Sequence, residues 1–263
     1  MRYGVRAAFI AAGIAVVSAA TPRAEQAAPS PEYRELQTPA GLVRSVRVSL
    51  DKFDVRVITP DMTEPHAQEV ARASDPERSP RGLFLADYRQ KYDLSVVVTG
   101  GYLASFSPPR PVGLVKSDGL LVSAVHENWQ LDGIACFDKG LAAIDARERV
   151  EELEKKYPDC IQAGPLLLKD GKPPAEGARR APEFDALARK VVEQTAVCID
   201  GNNNVLLVVA DKMTLDQMTA ALQRPELGCV RALALNSGPM LVNDKTFGAD
   251  EYLVPNVVGI KPR

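Results

Sequence analysis

The sequence predicts an α+β domain in which a single mixed sheet carries several hairpins and is flanked by helices. Short apolar runs rich in Val and Leu recur along the chain, and such runs are typical of buried strands. Tight turns such as Ser117-Asp118-Gly119 join neighbouring runs and indicate hairpins rather than long crossovers. This mixture of hairpins and helices argues against a doubly wound parallel sheet. Because no repeat or linker divides the chain, residues 41–263 are expected to form one domain.

The first half of this domain is expected to consist mainly of strands. Residues 41–50 alternate between apolar and polar side chains, and 53–57 continue the pattern after a short turn, which predicts a hairpin. Residues 94–98 are wholly apolar and predict a buried strand. The segments 112–116 and 120–125 flank the turn described above and predict a second hairpin.

The second half mixes strands with helices. Asp, Gly and Asn at 200–204 join the apolar runs 196–199 and 205–209, which predicts a hairpin, and another strand is expected at 232–235. Thr214 and Gln217 form a capping box, a pair that marks the start of a helix. Helices are expected at 83–92, 141–156 and 214–222, and loops at 61–80 and 172–182.

The N-terminus has the pattern of a signal peptide. Arg2 and Arg6 precede an apolar stretch at 7–17, and Ser18-Ala19-Ala20 fits a cleavage site between small residues. The stretch is shorter than a transmembrane helix, so no stable membrane span is expected. We therefore predict a signal peptide at 1–20, with cleavage after Ala24 as the alternative, and a disordered lead at 21–40. The protein is expected to be exported, and either periplasmic or secreted.

The chain has four cysteines, Cys136, Cys160, Cys198 and Cys229. In an oxidising compartment an even number favours disulfides, while four buried free thiols are the alternative. The sequence does not choose among the three possible pairings. We favour Cys136–Cys160 with Cys198–Cys229 because each of these bridges closes a modest loop.

Composition and motifs exclude several functions. The formal net charge is −2 and no basic run is present, so nucleic acid is not an expected partner. The chain contains no G-x-S-x-G, P-loop or dinucleotide-binding motif. Its two histidines, His66 and His126, are far apart and there is no C-x-x-C, which disfavours zinc. No cofactor is predicted, and a divalent metal stays an open alternative.

Two glycine turns follow apolar runs and are candidates for the floor of one site. They are Thr99-Gly100-Gly101-Tyr102 after 94–98 and Asn236-Ser237-Gly238 after 232–235. Glycine at a strand end permits a positive φ and lets a ligand approach the backbone closely. The alternative is that both are ordinary tight turns.

The order of these turns and their neighbours resembles the phosphodiester glycosidase family, over about residues 41–258. The family's Asn-Gly-Gly-Phe-Phe turn is similar to Thr99-Gly100-Gly101-Tyr102-Leu103, and its Gly-Pro with a following Asp-Gly turn is similar to Gly164-Pro165 with Asp170-Gly171. Its Arg-Thr-Ala resembles Gln194-Thr195-Ala196, and its Leu-Asp-Gly-Gly resembles Leu235-Asn236-Ser237-Gly238. Gly100, Gly101, Gly164, Gly171 and Gly238 match the family's glycines, but Thr99, Gln194 and Asn236 replace Asn, Arg and Asp.

These replacements change the chemistry that the resemblance implies. Gln194 lacks the forked positive charge that an Arg offers to a phosphodiester. Asn236 keeps the shape of an Asp but does not exchange a proton near neutral pH. Loss of both residues removes opposite charges together and leaves the site neutral. Arg110, in the loop after the first turn, is a candidate replacement cation.

The resemblance implies a phosphodiester glycosidase-like fold and a pocket lined by residues of these motifs. Catalytic candidates are Thr99, Gln194 and Asn236. Candidates for substrate binding are Gly100, Gly101, Tyr102, Arg110, Gly164, Thr195, Ser237 and Gly238. The expected function is an exported hydrolase acting on a sugar phosphodiester or related envelope glycoside. The alternative is a catalytically impaired member, a pseudoenzyme, that binds a glycan or a partner protein in the same cleft; the sequence does not predict an oligomeric state.

Overall fold

A computed structural model describes residues 29–60, 82–106, 109–175, 177, 181–248 and 252–263. The described chain is mostly β-sheet, with four short α-helices. Every strand ladder is antiparallel. The α+β prediction therefore holds only coarsely, and the expected mixed sheet is replaced by antiparallel sheets. The short runs of β-branched residues favour strands over helices in this chain.

The elements, in chain order, have the following bounds. The strands are β1 (Glu32–Thr38), β2 (Gly41–Val48), β3 (Phe53–Ile58), β4 (Val96–Thr99), β5 (Leu103–Phe106), β6 (Pro109–Pro111), β7 (Val115–Ser117), β8 (Leu120–Ser123), β9 (Gly133–Asp138), β10 (Leu141–Ala146), β11 (Asp159–Ala163), β12 (Leu166–Leu168), β13 (Val192–Asp200), β14 (Val205–Met213), β15 (Cys229–Ala234), β16 (Met240–Val242), β17 (Lys245–Phe247) and β18 (Val257–Pro262). The α-helices are α1 (Leu85–Tyr92), α2 (Val150–Lys156), α3 (Phe184–Ala188) and α4 (Leu215–Leu222), and a 3₁₀ turn precedes α2.

Three sheets surround the main apolar core. Their strand orders are β1-β2-β14-β13-β15-β12, β10-β9-β11-β7-β8 and β17-β16-β4-β18-β3, and β5 and β6 form a small separate hairpin. All three large sheets contribute fully buried side chains to one cluster, including Val46, Val98 and Phe137. A second cluster lies on the other face of the six-stranded sheet and is covered by α3 and α4. The sheets thus share one core, which fixes the positions of the turns at their ends.

The predicted hairpin between residues 41–50 and 53–57 is wrong. Both strands exist, but β2 pairs with β1 and β14, whereas β3 pairs with β18. The Ser49 carbonyl accepts from the amides of Lys52 and Phe53, so a tight turn redirects the chain into a different sheet. Alternation identifies a strand and its buried face, but it does not identify the partner strand.

The predicted helix at 141–156 is also corrected. Residues 141–146 form β10 and pair with β9, so that the α-helix begins only at Val150. Cross-strand pairing overrides the weak helical pattern in this segment, because Ile144 is buried in the core as part of the sheet. The other two predicted helices are confirmed as α1 and α4, and Thr214 and Gln217 make the expected capping box.

The hairpins predicted around Asp118 and at 200–204 are both present, as β7–β8 and β13–β14. The predicted lead at 21–40 is wrong in its last part, because β1 lies within it and pairs along its whole length with β2. Residues 1–28 and 61–81 lie outside the described residues, and with them the predicted signal peptide and the whole of the predicted loop at 61–80.

The favoured disulfide pairing is confirmed. Cys136 bonds to Cys160 and Cys198 bonds to Cys229. The first bridge joins directly opposite residues of β9 and β11, and the second joins β13 to β15. In the described part of the chain, none of the helices combines the length and apolar character needed to cross a membrane.

Candidate functional site

Four of the motif segments meet at the ends of β4, β11, β13 and β15. The amide of Asn236 donates to the carbonyl of Gly100 at 3.0 Å, and the amide of Leu235 donates to the carbonyl of Thr195 at 2.8 Å. The amide of Ala234 donates to the carbonyl of Pro165 at 3.1 Å. We call residues 99–102, 164–165 and 235–238, together with Thr195, the four-segment site. Segments far apart in sequence are therefore in direct contact, as the motif order predicted.

Gly238 lies at the centre of this site, and its lack of a side chain is required. A Cβ there would lie 2.4 Å from Cγ2 and 2.9 Å from Oγ1 of Thr99, and 3.0 Å from the hydroxyl of Tyr252. Gly100 is similarly enclosed, since its Cβ would lie 2.0 Å from Oδ1 of Asn256. Both predicted glycine turns thus allow close approach of polar groups to the backbone.

The two threonines of the site are buried and bond to the second glycine turn. Thr99 donates through Oγ1 to the carbonyl of Asn236 at 2.8 Å. Thr195 donates through Oγ1 to the carbonyl of Gly238 at 2.9 Å and accepts from the amide of Gly238 at 3.3 Å. Since both hydroxyls bond inward, Thr99 and Thr195 hold the Asn236-Ser237-Gly238 turn in place.

Asn236 has an orientation fixed by Tyr252. The Asn236 side-chain nitrogen donates to the Tyr252 hydroxyl at 2.9 Å, and that hydroxyl donates to the Ser237 carbonyl at 2.8 Å. The Asn236 oxygen Oδ1 has no hydrogen-bond partner among the described residues. Burial, with a smaller contribution from the charge of Glu193, raises the pKa of Tyr252 to about 12. Tyr252 is therefore protonated at neutral pH, and Asn236 offers a hydrogen-bond acceptor to a ligand.

Gln194 is not brought into the site. Its side chain lies on the other face of β13 from Thr195 and donates to the Met213 carbonyl at 3.1 Å. Successive side chains of a strand point to opposite faces, so Thr195 faces the motif turns while Gln194 is buried beside β14. Its prediction as a catalytic residue is corrected on this geometry.

Tyr102 and Gly164 meet on the opposite side of the site. The Tyr102 hydroxyl donates to the Gly164 carbonyl at 2.7 Å, which ties the first glycine turn to the Gly-Pro segment. Burial, and then the charge of Asp132, raises the pKa of Tyr102 to about 12. Asp132 is itself buried and accepts through Oδ1 from the Leu166 amide at 2.7 Å. A carboxylate therefore lies near this flank of the site.

Arg110 lies on β6, in the hairpin that continues from Tyr102. The Val112 amide donates to the Tyr102 carbonyl at 2.9 Å, and Arg110 pairs with Ser105. Among the arginines in the described ranges, Arg110 is alone in having a guanidinium without a hydrogen bond or ion pair, and its Nε is buried. The described contacts do not place its side chain against the four-segment site, but the hairpin anchors it close to Tyr102.

Four residues of this region were not among the predicted site residues: Asp132, Glu193, Tyr252 and Asn256. Asn256 is fully buried and accepts through Oδ1 from the Gly101 amide at 2.8 Å, while its Nδ2 has no hydrogen-bond partner. These residues lie outside the motifs, so motif order does not identify them. For Glu193 a signal was present, because it directly precedes the Gln194-Thr195 motif.

Metal ligands are not assembled here. Across the described ranges, no group of three or more His, Cys, Asp or Glu side chains is placed to hold a metal ion.

Comparison with known proteins defines the class. The sequence profile of the phosphodiester glycosidases matches residues 92–261, which is more than half of the chain. The chain belongs to the phosphodiester glycosidase family. No curated protein sequence gives a significant match.

Solved structures show the same fold at low identity. The catalytic domain of zebrafish N-acetylglucosamine-1-phosphodiester alpha-N-acetylglucosaminidase, auto-inhibited by its pro-peptide, aligns with a TM-score of 0.66 and 16% identity, over 93% of this chain and 87% of that one. A hypothetical protein from Synechocystis aligns with a TM-score of 0.63 and 15% identity over 89% of this chain. The present chain spans 62% of the length of that protein. An exported protein of Burkholderia pseudomallei, described as putative, aligns with a TM-score of 0.55 and 11% identity, over 84% of this chain and 74% of that one.

Proposed function

We propose that this protein is an exported glycosidase that hydrolyses a sugar phosphodiester or a related envelope glycoside at the four-segment site. Family membership supports the reaction class, and the hydrogen-bonded junction of the motif segments supports the location. Two disulfides support export, since such bonds persist in oxidising compartments. The proposal includes removal of a signal peptide by cleavage after Ala20.

The observation that carries the proposed hydrolysis is a pair of carboxylates on the two flanks of the site. Asp132 lies against the Gly164 segment, where a Cβ on Gly164 would be 3.0 Å from its Oδ1, and Glu193 lies two residues before Thr195 on β13. After burial, the charges of these two carboxylates contribute to the raised pKa values of Tyr102 and Tyr252. Glycosidases of most families place two carboxylates on opposite sides of the scissile bond. In this proposal Glu193 is the general acid or base, a role that the Asn236 amide cannot fill. Asp132 holds the Gly164 segment in position.

Ligand contacts follow from the groups that are not engaged within the protein. Oδ1 of Asn236 accepts from a sugar hydroxyl, and the exposed Ser237 adds a hydroxyl beside it. The unpaired guanidinium of Arg110 supplies the positive charge for a phosphate group. In this proposal the sugar ring binds beside the second glycine turn, at Asn236 and Ser237. The phosphodiester group binds beside the first glycine turn, near Arg110.

A second candidate function, glycan binding without cleavage, is favoured by a separate observation. Gln194 faces away from the site, and the Asn236 amide is fixed by Tyr252 where the family motif has an Asp. The four segments themselves therefore contain no carboxylate. A family member with this arrangement can still bind a glycan through the hydrogen bonds of the pocket, even when no proton transfer and therefore no cleavage occurs.

A turnover assay with the mature chain separates these functions. The substrates are UDP-N-acetylglucosamine and a methyl phosphodiester of N-acetylglucosamine, each with and without divalent metal. We expect release of the free sugar by the wild type and a loss of at least about 100-fold in Glu193→Gln. Glu183→Gln, an exposed glutamate elsewhere, is the matched control and should keep full turnover.

Two outcomes would contradict the proposal. Turnover that survives Asn236→Ala would show that the reaction occurs elsewhere in the molecule. Saturable binding of both sugars by the wild type, with no release of product under any metal condition, would instead establish the non-catalytic function.

A further inference from the structure

A groove runs along the surface between β1 and β17, outside the four-segment site. One cavity of about 570 Å³ is lined by Arg44, Glu193, Asp211, Phe247 and Gly248, among others. A second cavity of about 370 Å³ shares Phe247 with it and is lined also by Tyr33, Glu35 and Asp244. We call the two together the β1–β17 groove.

The groove has an aromatic platform at its far end. The rings of Tyr33 and Phe247 stack with centroids 5.1 Å apart and planes 21° apart, and the guanidinium of Arg44 lies 5.6 Å from the centroid of Phe247. Tyr33 is 37% exposed, which is unusual for a large side chain already engaged in a stack. An exposed aromatic face of this kind packs well against the apolar face of a sugar ring.

Paired charges surround the platform. Arg44 bonds to Asp211 at 2.8 Å and approaches Glu35 at 3.6 Å, and Tyr33 donates to Glu35 at 2.6 Å. Because the positive charge of Arg44 is balanced by Asp211 and Glu35, this part of the groove suits a neutral ligand rich in hydroxyl groups better than a strongly charged one. Both carboxylates are half exposed and can accept hydrogen bonds from such a ligand.

The near end of the groove leads to the four-segment site. Glu193 lines the groove, and its charge also reaches Tyr252 in the site. Gly248 has φ +99°, and a Cβ on it would lie 2.7 Å from the Glu193 carboxylate. The missing side chain of Gly248 therefore lets its backbone pack against this carboxylate, and Glu193 lies where the groove adjoins the site, two residues before Thr195 on β13.

We infer that the β1–β17 groove binds the continuation of a glycan whose terminal sugar occupies the four-segment site. The inference rests on the proposed function for the position of that terminal sugar. It assigns the substrate class more narrowly, to an oligosaccharide of several sugar rings rather than a single sugar on a phosphodiester. Tyr33 is the residue that determines this preference for length.

Binding measurements by calorimetry on the full mature chain test this inference. The probes are the methyl phosphodiester of N-acetylglucosamine and the tetrasaccharide of N-acetylglucosamine. We expect the tetrasaccharide to bind more tightly to the wild type, and Tyr33→Ala to weaken it about fivefold while leaving the monosaccharide unchanged. Phe84→Ala removes an exposed aromatic side chain outside the groove and should change neither affinity.

The outcomes separate this inference from the proposed function. Equal affinity for both probes, or equal weakening of both by Tyr33→Ala, overturns the groove as a length-dependent site while leaving the four-segment site intact. Tetrasaccharide binding that depends on Tyr33, without binding or turnover of the monosaccharide, supports the groove and contradicts the proposed function. Absence of binding by either probe overturns both. Thermal melting of Tyr33→Ala confirms that a loss of binding is not a loss of folding.

Discussion

Individual residues of the site act mainly by holding other residues in place. Three hydroxyl groups donate hydrogen bonds to backbone carbonyls of residues 236–238, and they belong to Thr99, Thr195 and Tyr252. Their common effect is to present Asn236 in one orientation, with the acceptor Oδ1 left for a ligand. In the proposed function these residues contribute neutral hydrogen bonds, and the positive charge for a phosphate comes from Arg110.

Replacing Gly238 should disrupt this arrangement directly. In Gly238→Ala the added Cβ meets Thr99 and the Tyr252 hydroxyl within 3.0 Å, so these groups must move away from the Asn236 turn. We expect a loss of about 1–3 kcal/mol in the free energy of unfolding, measured by urea denaturation, and weaker binding of the sugar probes. Gly201→Ala is the matched control, since nothing lies within 4 Å of its Cβ. Equal effects in the two variants would contradict this account of the site.

Loops near the site are held by a few buried side chains of neighbouring strands. Gln162 of β11 accepts through Oε1 from the amides of Leu114 and His126, and donates through Nε2 to the carbonyls of His126 and Leu131. One fully buried amide therefore connects a strand to two separate points of the segment after β8. Asp132, at the end of that segment, depends on this connection for its position.

Gln162→Leu keeps the approximate volume but removes all four hydrogen bonds. We expect a loss of about 3 kcal/mol in unfolding free energy, because buried backbone groups at Leu114 and Leu131 lose their partners. Gln223→Leu, at the exposed end of α4, should change stability by less than about 0.5 kcal/mol. A small effect of Gln162→Leu, with unchanged hydrogen exchange at residues 126–131, would show that the segment is held by other contacts.

The elements show which features the sequence predicts well. Local signals sufficed for the capping box of α4, the two hairpins and the disulfide pairs, since each depends on residues close in sequence or on loop length. The pairing of β2 with β14 and that of β3 with β18 were not predictable, because these partners lie more than 150 residues further along the chain. Motif order predicted the contact between the two glycine turns, which the backbone hydrogen bonds show. The positions of Tyr252 and Asp132 required the fold, and the register of β13 was needed to show which face Gln194 occupies.

At the scale of the whole molecule, Asp145 connects separate layers electrostatically. Its nearly buried carboxylate bonds to Arg149 at 3.0 Å and to Lys169 at 3.1 Å, with Arg231 of the six-stranded sheet at 3.8 Å. Burial opposes ionisation of Asp145, but the Ala146 amide and the surrounding cations outweigh it and lower the pKa. The ionised form is thus favoured by folding.

This lowered pKa predicts a pH dependence of stability. A carboxyl group whose pKa is lower in the folded state stabilises the protein above its unfolded pKa, and the contribution disappears as pH falls through the folded pKa. Asp145→Asn should therefore be less stable than the wild type at pH 7, and the difference should shrink steadily toward pH 3. Chemical denaturation at a series of pH values measures this difference. A difference that does not vary with pH would mean that Asp145 acts through packing or hydrogen-bond shape alone.

The position of β18 has a consequence for how this molecule is made. It follows all the other described strands in sequence, yet it lies between β4 and β3 in the interior of its sheet. Until residues 257–262 have been synthesised, β3 and β4 have no strand to connect them, and the core between the sheets stays open. Assembly dominated by such distant pairings is slow, and it keeps apolar strand faces in contact with solvent for longer. We therefore expect nascent chains to depend on holding chaperones until translation of this last strand is complete.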